Sequence, residues 1–253
     1  MSASLSPSVN ERLAAAERPW GPPAGLQEWR RLLFLHWAVP ADLLHPLVPR
    51  RLDLDLYDGV AYVGLVSFFI QAARPVGAPR SLGLAFLQTN VRTYVHLDGS
   101  GPGVYFFSLD AASLLAVVYA RLAFGLPYFY ARGRELRGDR EVDYTLRRFP
   151  DAQAMVHVRY SVGEPLGPAL PGTLEHFLIE RYQMHIQRGR TLWTARVQHR
   201  PYPLHRVWLL GGQDELRRAA GISVPNERPL VHYATGADAE VFAPRLVPLP
   251  GGP

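Results

Sequence analysis

Short apolar segments alternate with turn dipeptides along most of the chain, which is the pattern of β-hairpins. Apolar and polar residues alternate over residues 52–57, and Asp58-Gly59 separates this run from a strongly apolar run at 60–70. Asp-Gly between two such runs favours a tight hairpin turn. The pattern predicts three further hairpins, 90–97 with 103–109, 128–136 with 141–148 and 182–188 with 191–200, and two further strands, 155–162 and 230–241.

Helical patterns are fewer and shorter. The best helical period covers residues 113–124, where Ser113 can cap the N-terminus and Gly125 can end the helix. Residues 173–180 form a second candidate, with Thr173 as its cap. Shorter helical segments are predicted at 11–17, 41–47 and 214–220.

Many hairpins, few helices and no βαβ rhythm predict a mainly β fold with a few short helices, in the α+β class. We expect an antiparallel sheet curled into a barrel or cone. Residues 26–247 are predicted to form one domain, because no internal repeat or linker divides them. Residues 1–25 are expected to be a flexible arm and residues 248–253 a tail.

Composition excludes several kinds of chemistry. The 253 residues contain no cysteine and no lysine, so side-chain Schiff bases, disulfides and thiolate metal sites are excluded. All 27 basic residues are arginines scattered along the chain, and a net charge of +5 without a basic block does not favour nucleic-acid binding. No apolar run reaches the ~20 residues of a membrane span. We expect a cytoplasmic protein. We also expect no metal or cofactor, because no motif for either is present.

Six short motifs carry a resemblance to a known family: LFLHW at 33–37, NVRTYV at 90–95, GVYFFSLDA at 103–111, FGLPYF at 124–129, ERY at 180–182 and VHY at 231–233. Together they resemble the bacterial YqjF-like family of uncharacterised proteins, from Trp29 to about Val247. That family is similar in turn to the acetoacetate decarboxylase-like superfamily, whose members are barrel or cone-shaped. The resemblance therefore implies an acetoacetate decarboxylase-like fold.

The resemblance also points to a place in the chain. The decarboxylases carry a strand ending in Asp, a short helix with Gly-Arg-Glu, and then Gly-Phe-Pro-Lys-Lys. Here Arg121 matches the arginine, Leu122 replaces the glutamate, and Tyr128 and Phe129 stand where the resemblance places the two lysines. A phenol and a phenyl ring cannot form an imine, so decarboxylation through a side-chain Schiff base is excluded.

Polar residues within apolar strands are the remaining candidates for a site. Arg92 and Tyr94 are two apart and share one face of a strand, and Glu180 and Tyr182 share a face of another. If these faces point inward, each arginine needs a carboxylate partner or an anionic ligand. One interpretation is a closed structural network of arginines and carboxylates, in which Asp110 is a further candidate member. The other is a ligand pocket.

In the pocket interpretation, the substrate-binding residues are Arg92, Tyr94, Arg121, Phe129, Arg181 and Tyr182, and the catalytic candidates are Tyr128 and Glu180. An arginine fork suits a carboxylate. We therefore expect the protein to bind a small apolar organic acid or a related metabolite. The alternatives are a lyase, hydratase or isomerase with Tyr128 as acid and Glu180 or a histidine as base, and a non-catalytic interaction module; homo-oligomerisation stays open.

Overall fold

The computed structural model describes residues 6–223 and 228–248, and these residues form a mainly β structure with short helices. The strands are β1 Gly25–Val39, β2 Asp53–Leu54, β3 Ala61–Pro75, β4 Leu84–Leu97, β5 Ser100–Ala111, β6 Tyr128–Arg137, β7 Glu141–Arg148, β8 Met155–Gly167, β9 Gln183–Arg188, β10 Thr191–Gln198, β11 Leu204–Asp214, β12 Leu230–Val241 and β13 Arg245–Leu246. The helices are α1 Val9–Ala15, α2 Ala41–Leu44, α3 Leu114–Phe124, α4 Leu174–Ile179 and α5 Leu216–Ala219. Among the described residues, no helix is long and apolar enough to cross a membrane.

The two main helices begin where their capping residues predict. The Ser113 hydroxyl accepts a hydrogen bond from the Ala116 N–H at the start of α3, and Thr173 caps α4 in the same way. Helix α3 ends because Gly125 adopts a left-handed conformation with φ 67°, which glycine tolerates best. The sequence therefore located both helices through their ends.

The predicted hairpin between residues 52–57 and 60–70 is wrong. Within residues 52–57, only Asp53–Leu54 forms a strand, and this strand pairs with β4 rather than with β3. Asp58 and Gly59 do make a tight turn, but it joins only Tyr57 to Val60. The burial of Asp55 explains the difference. The alternating pattern predicts that its side chain faces solvent, but its carboxylate is fully buried in ion pairs.

The sequence analysis missed three strands, β1, β11 and the two-residue β13, and the first half of another. Strand β1 pairs with both β3 and β12, and its residues Leu32–Trp37 are buried on both faces, so they show no polar alternation. In strand β11 the exposed positions include Trp208 and Leu210. Because these residues are apolar, the sequence shows no alternation of apolar and polar residues there. Strand β4 begins at Leu84 instead of at residue 90.

The described strands belong to one sheet, and successive pairings lead from β1 through β3, β4, β5, β9, β10 and β12 back to β1. Most pairs are antiparallel, as predicted, but β5 pairs in parallel with both β6 and β9. Helix α3 lies between β5 and β6, in the position of a crossover that a parallel pair requires.

Two apolar clusters lie on opposite faces of the central strand β1. Leu32 and Phe34 belong to one cluster, while Leu33 and Leu35 belong to the other. This division follows from the alternation of side chains along a strand. The cluster that contains Leu32 and Phe34 surrounds the candidate site.

Candidate functional site

A cavity of about 420 Å³ lies on the Phe34 side of the sheet. Every strand of the circuit described above contributes to its wall, together with helix α3. Most of the wall is apolar, with Phe34, Phe68 and Phe86 among the aromatic members. The rim includes Leu82 and Leu115, both strongly exposed, so ligands can enter there.

One polar row interrupts this apolar wall. Gln88, Asn90 and Arg92 are spaced two apart on β4, are buried, and all line the cavity. Oδ1 of Asn90 has no hydrogen-bond partner among the described residues. The sequence analysis named Arg92 but missed Gln88 and Asn90, although the same two-residue spacing would have found them.

Arg92 is 8% exposed and lies at the inner end of that row. One of its terminal nitrogens donates to the Leu178 carbonyl at 3.1 Å, but its Nε is buried without a partner. Within the described part of the chain, no carboxylate forms an ion pair with Arg92. Two aromatic rings, Phe34 and Tyr94, lie 5.8 and 5.7 Å from its guanidinium carbon. Arg92 is therefore a buried cation without a counter-ion among the residues that the structure describes.

Arg181 lines the same cavity but has a protein carboxylate beside it. Its Nη1 donates to Asp55 Oδ2 at 2.7 Å, and its Nε donates to the Phe177 carbonyl at 2.7 Å. Its Nη2 is buried without a partner. Burial lowers the pKa of Arg181, and Asp55 opposes that effect. Burial also raises the pKa of Asp55, but Arg181 and Arg12 outweigh it, so this pKa lies below its usual value.

Tyr128 lines the cavity, and it is 8% exposed. Its hydroxyl donates to Oε1 of Gln88 at 3.1 Å. Burial raises the pKa of Tyr128, so the phenol is neutral at physiological pH and can donate a hydrogen bond. The cavity wall thus contains Tyr128 and Arg92, both of which the sequence analysis named as site candidates.

Tyr94 lies behind the cavity wall instead of on it. Its hydroxyl donates to the Leu178 carbonyl at 2.7 Å, the same oxygen that accepts from Arg92. The ring of Tyr94 also lies 4.7 Å from the guanidinium carbon of Arg181. Tyr94 supports the two arginines and does not contact the cavity.

Glu180 and Tyr182 form a buried pair outside the cavity. The Tyr182 hydroxyl donates to Oε2 of Glu180 at 2.6 Å, and the Tyr202 N–H donates to Oε1 at 2.9 Å. Burial raises the pKa of Glu180, although both hydrogen bonds lower it. Neither Glu180 nor Tyr182 lines the cavity.

Arg121 and Phe129 lie in a different place from the one that the sequence analysis gave them. Arg121 is exposed on α3, 5.7 Å from the Phe129 ring, and neither residue lines the cavity. The Phe129 ring packs instead against Arg148, whose guanidinium binds the buried Asp110 at 2.6 and 3.0 Å. Asp110 and Arg148 form the closed structural ion pair that was the alternative interpretation.

The charged groups that line the cavity are all cationic. Its described wall contains Arg74, Arg92 and Arg181, and no aspartate, glutamate or histidine side chain. The described residues also contain no group of three or more histidine and carboxylate side chains placed to hold a metal ion. The arrangement therefore offers hydrogen-bond donors and positive charge in an apolar enclosure, without a carboxylate or imidazole base on the wall.

Comparisons with known proteins agree with this fold. The model of the family DUF2071, described as an uncharacterized conserved protein, matches residues 26–238. The uncharacterized protein YqjF of Bacillus subtilis (strain 168) is 36% identical over 213 residues, which cover 84% of this chain and 88% of that protein. The resemblance to YqjF-like proteins is thus confirmed.

Solved structures with the same fold have little sequence in common with this chain. The acetoacetate decarboxylase of Legionella pneumophila superposes with a TM-score of 0.62 at 11% identity and covers 98% of both chains. The enduracididine biosynthesis enzyme MppR, complexed with pyruvate, superposes with a TM-score of 0.62 at 12% identity. The match covers 91% of this chain and 93% of that one. These likenesses show an acetoacetate decarboxylase-like fold.

Proposed function

The chain belongs to the DUF2071 family, and we propose that its cavity binds a small, mainly apolar monocarboxylate with Arg92 as the counter-ion. The observation that carries this proposal is the unpaired charge of Arg92. A buried charge is costly unless it is paired, so a guanidinium that no described carboxylate pairs with favours an anion from outside. Arg181 lines the same cavity, so the wall offers a second guanidinium to the carboxylate.

The size and lining of the cavity limit the rest of the ligand. At roughly 30 Å³ per water molecule, 420 Å³ corresponds to about fourteen waters. A ligand of roughly eight to twelve non-hydrogen atoms would fill that space. Because the wall is mainly aromatic and aliphatic, each buried CH₂ group should contribute about 0.8 kcal/mol. Medium-chain and phenyl-substituted acids meet both conditions.

The chemistry of the wall favours binding over turnover. The chain has no lysine for an imine, and we propose that Tyr128, at the place that the resemblance gives to a Schiff-base lysine, donates a hydrogen bond to the ligand instead. The lyase, hydratase or isomerase alternative required a carboxylate or histidine beside Tyr128. Glu180 is held by Tyr182 and Tyr202 outside the cavity, which does not favour it as that base.

A matched series of ligands tests the proposal. Straight-chain acids of four to ten carbons and ω-phenyl acids are compared with their primary amides by thermal shift and then by titration calorimetry. The amides keep the size and the apolar body but lack the charge. We expect the acids to stabilise the protein more than the amides, with the best acid at medium length.

Two variants make this experiment specific. Arg92→Met should remove the preference for acids, whereas Arg121→Met should keep it, because Arg121 is exposed outside the cavity. Proton spectra of the incubated ligands report any product. Equal binding of acids and amides by the unmodified protein, or an acid preference that survives in Arg92→Met, would contradict the proposal.

A further inference from the structure

We propose that Arg12, on the N-terminal helix α1, is a positioning residue that limits the pairing of Arg181 with Asp55 and so preserves the positive charge of Arg181 for the ligand. The inference rests on the proposed carboxylate function of the cavity. It assigns a role in binding to a segment that does not line the cavity.

Arg12 reaches from the arm to the buried Asp55. Its Nη2 donates to Asp55 Oδ1 at 2.6 Å, and its Nη1 donates to Oδ2. Its guanidinium carbon also lies 4.7 Å from the ring centre of Phe177. The side chain of Arg12 is 10% exposed and that of Asp55 is fully buried, so solvent weakens this pair little.

Asp55 is shared between two arginines, and the sharing is unequal. Arg12 binds both carboxylate oxygens, whereas Arg181 binds only Oδ2, through Nη1. Arg12 holds Oδ1, and Nη2 of Arg181 is buried without a hydrogen-bond partner among the described residues. The ring of Phe177, 4.3 Å from the guanidinium carbon of Arg181, contacts both arginines.

Removing Arg12 would change this division. An arginine and a carboxylate prefer two parallel hydrogen bonds, so Arg181 would turn Nη2 toward the vacated Oδ1. The cavity wall would then present less positive charge to the ligand. Arg181 would also be more fully neutralised by Asp55.

The arm has other attachments, so Arg12 can be replaced without detaching it. Arg196 donates to the carbonyls of Ala15 and Glu17, and Gln198 donates to the carbonyl of Ala16 at 2.7 Å. Arg18 forms a separate, more exposed ion pair with Glu240. Arg18→Ala is therefore the matched control, because it removes an arm ion pair that does not involve Asp55.

The experiment measures the ratio of acid affinity to amide affinity by calorimetry, with octanoate and octanamide as probes. We expect Arg12→Ala to weaken octanoate binding about tenfold, the low end of a hydrogen bond to a charged group, and to leave octanamide unchanged. Arg18→Ala should change neither. General loosening of the fold would weaken both ligands together, so the ratio separates positioning from a structural role.

A double-mutant cycle tests whether Arg12 acts through Arg181. In an Arg181→Met background, Arg12→Ala should have no further effect on octanoate. A full tenfold loss in that background would show a direct effect of the Arg12 charge and overturn the inference. If Arg181→Met does not fold, Arg12→Lys decides instead: it keeps the charge but lacks the fork, so it should lose part of the affinity, and an affinity equal to that of the unmodified protein overturns the inference.

The outcomes separate this inference from the proposed function. If the unmodified protein does not prefer octanoate, the proposed function fails. If it prefers octanoate and Arg12→Ala does so equally, only the role of Arg12 fails.

Discussion

The unpaired state of Arg92 has a consequence for stability. If this arginine is kept for a ligand, the free protein bears the cost of its burial. Replacing it with methionine, which is apolar and of similar length, should stabilise the free protein while it removes acid binding. If Arg92 instead stabilised the fold, the same replacement would destabilise the free protein.

The contacts of Arg92 give the size of the change. Relief of one buried donor without a partner contributes about 1 to 3 kcal/mol, and the lost hydrogen bond to the Leu178 carbonyl costs about 1 kcal/mol. That carbonyl keeps the hydrogen bond from Tyr94 at 2.7 Å, so no buried acceptor is left unpaired. The ring contacts at 5.7 and 5.8 Å are close to the ~6 Å limit of cation–π interactions and contribute little. We expect a net gain of about 0 to 2 kcal/mol in the free energy of unfolding.

Guanidinium chloride unfolding without ligand measures this free energy. In calorimetry, the melting temperature should rise by about 2 to 4 °C per kcal/mol for a chain of this size. Arg148→Met is the contrasting control, because it leaves the buried Asp110 without its partner and should cost about 3 to 5 kcal/mol. A loss of more than about 1 kcal/mol in Arg92→Met would refute the reasoning, since burial of Arg92 would then serve the fold.

Three further changes test the local account. Gly125→Ala should destabilise the protein by about 2 to 3 kcal/mol in chemical unfolding, because the left-handed residue is strained and its Cβ would meet Arg188 Nε at 2.6 Å; no loss would contradict this. Ser113→Ala should cost about 1 kcal/mol, since the N–H of Ala116 loses its cap, and Ser113→Thr should keep most of that energy. Burial lowers the pKa of His199 to about 4, so the unfolded chain binds a proton that the folded chain does not, and stability should fall as the pH drops from about 6.5 to about 4. His199→Phe should flatten urea midpoints over that interval, and an unchanged slope would contradict the assignment.

The elements that the sequence predicted are those whose ends carry a local signal. Helix α3 has Ser113 at one end and Gly125 at the other, and both act in the structure as their chemistry predicts. Strand β1 has no such signal, because it is buried on both faces and its apolar run fits strand or helix equally. For residues 52–57 the local pattern was misleading. Their alternation is regular and predicts a hairpin, but Asp55 is buried in ion pairs with arginines from distant segments, and no hairpin forms.

The candidate site was predictable in part for the same reason. Strand alternation linked Arg92 to Tyr94, the resemblance placed Tyr128, and Arg181 was also a candidate, so three members of the cavity wall were found. Alternation cannot tell which buried polar residue faces the cavity and which faces a protein partner. Glu180 and Arg121 were therefore grouped with the wall, although contacts from distant segments hold Glu180 elsewhere and Arg121 is exposed.

The most direct test of the central claim is a crystal structure of the protein with 6-bromohexanoate, in which the anomalous signal of bromine gives the ligand's orientation. The carboxylate should lie within hydrogen-bond distance of the Arg92 guanidinium, and the bromine should point toward the rim at Leu82 and Leu115. Bromine beside Arg92, or a ligand bound only outside the cavity, would contradict the account.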